Sequence, residues 1–250
     1  METQNPIPAH RSSAIHVRLY QPGDKAQVLR IFRRSFIDVI NDAIGINLAT
    51  PRIVAAVEVA AAAGTLLISR WRKGSSLVSN AVAGMAIAVT AVPAVVAIYY
   101  YALVAALIYL SEKSDMGDIE THYSPVGRDG TPRLNAFFVA IDKTSGAILG
   151  VVGVQPSTKP HCAELRRMCV SHESRRKGVG SALCQAVVEH VSRWNSRTEE
   201  ESQRVHRIVL ATTAYQAPAM GLYERQGWRR SGELVSFAFG FSGYYYSRDV

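Results

Sequence analysis

Residues 165–180 read Leu165-Arg166-Arg167-Met168-Cys169-Val170-Ser171-His172-Glu173-Ser174-Arg175-Arg176-Lys177-Gly178-Val179-Gly180, a run whose basic and glycine residues suit it to hold an anion. Beyond it Leu183, Ala186, Val187, His190, Val191 and Trp194 recur at helical spacing, so Gly178 and Gly180 sit where a helix begins. Backbone N–H groups at such a start lack helical partners, and the macrodipole adds partial positive charge, so a diphosphate is a natural ligand. The donors would be the amides from Arg175 to Ser181, with the side chains of Arg175, Arg176 and Lys177 adding charge.

Such a turn works only if a strand feeds it and a helix leaves it. Residues 163–170 read as that strand. Upstream, residues 15–20 alternate like a strand, Asp24 can N-cap the next segment, and Val28, Ile31, Phe32, Ser35, Val39 and Ile40 lie along one helical face. Residues 118–133 form a Gly/Pro-bearing loop, 136–141 and 148–154 read as strands, and Lys143-Thr144-Ser145-Gly146 turns one into the other. Residues 195–204 are a polar loop, followed by a strand at 208–211. Pro218 and Gly227 bracket a short helix that carries Tyr223. Residues 233–248 are aromatic and strand-like, suiting a closing antiparallel pair.

The pattern Arg175-x-x-Gly178-x-Gly180 after a strand resembles the acetyl-CoA signature Q/R-x-x-G-x-G/A of the GNAT N-acetyltransferase superfamily. Gln216, Ala219, Leu222, Tyr223, Gly227 and Trp228 are similar to the superfamily's N-x-x-A-x-x-L-Y-x-x-x-G-F segment, with Gln for Asn and Trp for Phe. Val17-Arg18-Leu19-Tyr20-Gln21-Pro22-Gly23-Asp24, with Asp115-Met116-Gly117-Asp118-Ile119 after a long apolar insert, looks like the camello-like, N-acetyltransferase 8 family. The resemblance implies an α/β (α+β) GNAT fold: a mixed, mostly antiparallel central sheet flanked by helices and interrupted by a hydrophobic helical membrane insert. It also implies acetyl-CoA as cosubstrate and an amine as acceptor.

Acetyl transfer to an amine needs a neutral amine, a polarised thioester carbonyl and a protonated thiol leaving group. Glu164 is similar in position to a catalytic glutamate of some superfamily members, and a partly buried carboxylate there can take the amine proton. The alternative for Glu164 is a structural ion pair with Arg166 or Arg167. Tyr223 matches the tyrosine that faces the leaving thiolate; otherwise it is an aromatic core residue. Met168, Cys169 and Val170 border the cofactor, where the amide of Cys169 or Val170 can polarise the thioester, and Val179, Gly180, Ser181 and Gln216 complete the set. A route through an acetylated Cys169 lacks an identifiable activating base. His161, His172 and His206 are weaker candidates. Arg166 and Arg167 can pair with an acceptor carboxylate, although strand alternation lets only one of them face it.

The chain has 250 residues and a formal net charge of +8, room for one catalytic domain plus a membrane element. No stripe of interleaved Lys/Arg and aromatic residues appears, so nucleic acid is not an expected partner. The basic residues gather near the turn and at Arg70, Arg72 and Lys73 beside apolar segments, which suits coenzyme A and lipid headgroups. Cys162, Cys169 and Cys184 have no C-x-x-C spacing, so neither zinc nor a disulfide framework is expected, and the domain suits a reducing compartment.

Between Lys73 and Glu112 no residue is charged. One membrane crossing takes about 20 apolar residues, so this run exceeds one span, and Pro93 lies near its middle. Residues 53–69 form a shorter alanine-rich candidate that carries Glu58. If both flanks belong to one domain, the number of crossings is even. Either 53–69 and the later run each cross once, or the later run folds back near Pro93 while 53–69 lies in the interface. The positive-inside tendency of Arg70, Arg72 and Lys73 favours the second.

The expected organisation is a disordered stretch 1–13, a first GNAT part 14–48, a membrane-associated insert 49–112, a loop 113–134 and the remainder of the GNAT domain 135–250. The expected function is a membrane-anchored N-acetyltransferase of the endoplasmic reticulum, its catalytic domain on the cytosolic face, acting on a small amino-acid-like amine such as a cysteine S-conjugate. Protein lysine or aspartate is the alternative acceptor, and a non-catalytic membrane scaffold is the rival from another class.

Overall fold

The computed structural model describes residues 15–236 and 242–250; the expected disorder of residues 1–13 lies outside them. The chain divides into two compact units. One comprises residues 15–35, 115–236 and 242–250; the other is residues 36–114.

The first unit is built on a seven-stranded sheet of β1 (Ile15–Leu19), β2 (Ala136–Asp142), β3 (Ile148–Pro156), β4 (Cys162–Val170), β5 (Arg207–Thr213), β6 (Arg229–Ser236) and β7 (Ser242–Asp249). Its order is β1-β2-β3-β4-β5-β7-β6, antiparallel throughout except for the parallel pair β4/β5. The mixed, mostly antiparallel sheet expected from the sequence is therefore present. A helix, α5 (Val179–Arg197), buries Val179, Leu183, Cys184, Val187 and Val191. These side chains join Ala163 and Leu165 of β4 and Val152 and Val154 of β3 in one apolar core. Alternation along β4 sends Glu164 and Arg166 to the opposite face.

Asp24 does not cap the following helix as expected. It ends a single 3-10 turn (Pro22–Asp24), and its carboxylate reaches back to the Gln21 amide at 2.8 Å and to Arg18 at 2.7 Å. The helix that follows, α1 (Lys25–Leu48), buries Val28, Ile31 and Phe32 within this unit. The segment expected as a plain loop at 118–133 holds a four-residue helix, α4 (Ile119–His122), because Asp118 accepts from the Thr121 amide at 3.1 Å. The short helix α6 (Ala217–Arg225) stands between Gln216 and the left-handed Gly227.

The second unit is dominated by α2 (Pro51–Trp71) and α3 (Leu77–Lys113), joined by a short turn through Gly74. They pack on each other through small residues. A Cβ on Gly84 would lie 2.6 Å from the Thr65 amide nitrogen and 2.8 Å from the Ala61 carbonyl oxygen. Val59, Leu66, Leu67, Val78, Val82, Val95 and Ile98 are exposed on the outside.

The later apolar run does not fold back near Pro93. α3 is one 37-residue helix with Pro93 inside it, and its hairpin partner is α2. A proline removes one backbone hydrogen bond, a loss that a long apolar helix packed on a neighbour absorbs. At 1.5 Å per residue α2 is about 31 Å long and α3 about 55 Å, against a hydrocarbon core of about 30 Å.

Candidate active site

The parallel pair β4/β5 is joined only at Cys162↔Arg207, Ala163↔Ile208 and Glu164↔Val209. Past Glu164 the strands part, so the sheet opens at their carboxyl ends, where ligands of α/β sheets bind. β3 stays alongside β4 with a bulge: Val151 faces Cys169 and Gly153 faces Arg166, leaving Arg167 and Met168 against Val152 alone. Arg167 takes a left-handed φ of 55° to make this possible. The bulge breaks the alternation that would have put Arg166 and Arg167 on opposite faces.

From Val170 the chain passes through a 3-10 turn (His172–Ser174) to Arg175, Arg176 and Lys177, all exposed. Gly178 precedes α5 with φ 87°, and open space surrounds the position its Cβ would take. The first amide to reach a helical carbonyl is that of Ala182, bonded to Gly178 at 3.0 Å. The amides of Val179, Gly180 and Ser181 thus belong to the unsatisfied first turn, in the geometry of an anion cradle. Gly180 serves a second purpose, since a Cβ there would lie 2.7 Å from Leu222 of α6. It lets the two helices meet.

Tyr223 on α6 is 5% exposed and sits among Trp228 and Tyr246, with ring centroids 5.8 and 5.6 Å away. Burial, reinforced by the Cys184 and Cys169 thiols, pushes its hydroxyl well above the ordinary phenol range, so it carries its proton at neutral pH. Gln216 turns its carbonyl oxygen inward, accepting from the Thr212 hydroxyl at 2.9 Å and the Thr213 amide at 3.2 Å. It orders the turn into α6. Burial raises the Cys169 thiol to about 11 despite a hydrogen bond with Ser35 and the nearby guanidiniums of Arg167 and Arg175. A thiol held neutral in this way is a poor nucleophile, which removes support from the acetyl-cysteine route.

Glu164 is half-exposed and lies 3.9 Å from the Arg166 Nε. Directly across the strand pair is Gln155, which donates from Nε2 to Glu164 Oε2 at 3.4 Å, while its Oε1 lies 3.0 Å from His122 Nε2. Arg167 has a partner inside the protein. Its guanidinium donates to both oxygens of Asp115, at 2.6 and 2.8 Å, and Tyr123 donates to the same carboxylate at 2.6 Å. Asp115 is fully buried. Burial alone would raise its carboxyl, but Arg167 and Tyr123 outweigh that and hold it at about 2. An arginine so committed is no free anchor for an acceptor, whereas Arg166 is held only by its long 3.9 Å ion pair with Glu164, the structural pair named above as the alternative for that carboxylate.

Asp115 enters the sequence reading only as part of the motif after the apolar insert, with no role in the site, and His122, Tyr123 and Gln155 do not enter it. One local signal was available: Gly153 inside a strand, where a Cβ would lie 2.7 Å from the Tyr123 ring. A glycine within a strand marks a close approach. His161 and His206 stack on each other at 4.8 Å beside the amino ends of β4 and β5, away from the opening.

Residues 105–228 match the acetyltransferase (GNAT) family. The zebrafish (Danio rerio) N-acetylaspartate synthetase is 36% identical over 142 residues, 56% of this chain and 44% of that protein. The chain thus spans less than half the length of that relative. The mouse N-acetyltransferase 8F1 is 25% identical over 90% of both chains, and the Xenopus tropicalis probable N-acetyltransferase camello is 29% identical over 58% of this chain and 60% of its own. A GNAT-family acetyltransferase structure from Staphylococcus aureus Mu50 aligns with 94% of this chain and 98% of its own at a TM-score of 0.49 and 14% identity.

Proposed function

The chain belongs to the GNAT acetyltransferase family, within its N-acetyltransferase 8 branch, and we propose that it moves the acetyl group of acetyl-CoA to a small amino-acid-like amine at a membrane surface. The observation that supports this reading is the opening between β4 and β5, followed along the chain by the glycine turn that starts α5.

In this reading the amides of Gly178 to Ser181 bind the diphosphate, and Arg175, Arg176 and Lys177 add charge around it. Met168, Cys169 and Val170 run beside the acyl arm, where the amide of Cys169 or Val170 polarises the thioester carbonyl. Glu164 takes the amine proton, directly or through one water. The amine nitrogen then forms its bond to the acyl carbon as the carbon–sulfur bond breaks, and Tyr223 gives its proton to the departing sulfur. Arg166 pairs with a carboxylate on the acceptor.

Aspartate is the acceptor we favour, since it carries an amine and two carboxylates and several relatives are named N-acetylaspartate synthetase. A cysteine S-conjugate and a protein lysine are the rivals. Residues 49–113 hold α2 and α3, which we read as a membrane hairpin that returns the chain to the face it left, so that the acetyltransferase residues before and after it stand on one face. The endoplasmic reticulum and its cytosolic face are the expected site, because acetyl-CoA and reduced cysteines are both available there.

The test is incubation of the detergent-solubilised protein with acetyl-CoA and aspartate, a cysteine S-conjugate or a lysine peptide, with free thiol as readout. Thiol release with aspartate supports the reading, and release only with the lysine peptide reassigns the acceptor. A protein that acetyl-CoA does not stabilise thermally, and that releases no thiol with any amine, is a scaffold. Retention in the membrane pellet after an alkaline carbonate wash checks the hairpin.

A further inference from the structure

We infer that Gln155, itself held by His122, is a positioning residue that orients the Glu164 carboxylate toward the acceptor amine. This rests on the reading of Glu164 as the base. Gln155 and Glu164 are direct cross-strand partners in the β3/β4 register, so their side chains rise from the same face of the sheet. An amide has a donor end and an acceptor end. Facing a carboxylate, the donor end is the one that attracts, which matches Nε2 at 3.4 Å from Glu164 Oε2. The acceptor end then points at His122 Nε2, 3.0 Å away, and that nitrogen must carry a hydrogen.

His122 is itself held in place. Its backbone carbonyl accepts from the buried Asn135 at 3.0 Å, and its ring stands edge-on to Tyr123 at 4.7 Å. Tyr123 is anchored in turn on Asp115. The donors therefore run in one direction, from His122 to Gln155 to Glu164. Arg166 on its own strand and His122 on α4, through Gln155, are the charged or titratable groups whose contacts reach Glu164; on β5 its partner is Val209. His122 and Gln155 also line a cavity of about 570 Å³, which gives water access to this end of the chain of hydrogen bonds.

The test compares the pH dependence of kcat for the unmodified protein with Gln155→Glu, Gln155→Leu and His122→Phe, using acetyl-CoA and whichever amine of the panel releases thiol fastest. Gln155→Glu places a second carboxylate opposite the first and is expected to move the acid limb up by about one pH unit. Gln155→Leu removes the donor and is expected to lower kcat about 10- to 100-fold, with the acid limb also raised and KM for acetyl-CoA within about 2-fold. His122→Phe keeps the ring packing and leaves β3 untouched, and should raise the limb by a smaller step in the same direction. A general loss of folding would lower activity without moving the limb. An unmoved limb in the variants that fold overturns the inference. Glu164→Gln separates the two levels of the argument: kcat unchanged in that variant removes the base itself, whereas a large loss there with unmoved limbs in the others removes only the positioning role.

Discussion

In the function proposed above, the two ends of β4 recognise by different means. Beyond its carboxyl end the cradle is made of backbone: amides of a helix first turn, released by a glycine at φ 87°. From Glu164 to the bulge, the site is made of side chains: Glu164 with Gln155 and His122, and Arg167 with Asp115 and Tyr123. A backbone cradle tolerates most side-chain changes around it and fails when its conformation is denied. A side-chain network fails one partner at a time. The invariant part of a reaction suits the first construction, and the part that must distinguish acceptors suits the second.

Gly178→Glu attacks the backbone end where it is least tolerant. It imposes a Cβ on a left-handed residue, at about 1–2 kcal/mol, and adds negative charge beside a bound diphosphate. Acetyl-CoA affinity should fall about 100-fold or more by calorimetry, and unchanged affinity would mean the cradle lies elsewhere. Glu164→Gln attacks the side-chain end and should lower kcat about 10²- to 10⁴-fold while acetyl-CoA binding holds. Loss of both together would erase the contrast between the two ends.

Asp115→Ala should destabilise the protein by about 3–5 kcal/mol in urea, because it leaves the Arg167 guanidinium buried without its partner. The same carboxyl gives a pH signature. Its folded value of about 2 lies below the ordinary 3.8, so its contribution is fully present above about pH 4 and lost as the pH falls from there toward 2. That contribution is about 2 kcal/mol by the size of the shift. Asp115→Asn should flatten the dependence of stability on pH in that window, and an unaltered slope would show that the pair does not hold. The smallest effect is expected at Lys177→Ala. Exposed and part of the diffuse charge around the cradle, it should cost about 2- to 5-fold in acetyl-CoA affinity, and less at high salt.

The same division explains what could be read in advance. The glycine turn, α5 and α6 were legible because helix starts, glycine stops and 3.6-residue periodicity are local signals. The hairpin's apolar content was legible too, but not its fold, since one proline in an uncharged run does not say whether the helix bends back or continues. Glu164 is proposed from its place before the turn. Its partner Gln155 was not legible, because strand register is set by the whole sheet. The pairing of Asp115 was hidden by distance: its arginine lies 52 residues further along the chain. The left-handed Arg167 has no sequence signature either, being neither glycine nor asparagine, and its conformation follows from the bulge and the carboxylate that holds it.

A sheet that opens in its middle carries two more edges than one that closes. Past Glu164 and Val209, β4 and β5 each turn a row of ladder groups toward the gap. Exposed strand edges are where foreign strands add and where chains associate. A ligand that lies between them occupies those groups, so its concentration bears on solubility and shelf life as well as on turnover. By mass action, acetyl-CoA at 100 times its dissociation constant would stabilise the folded state by about 2.7 kcal/mol. In the proposed function, the opening thus ties the durability of the unit to the supply of its substrate.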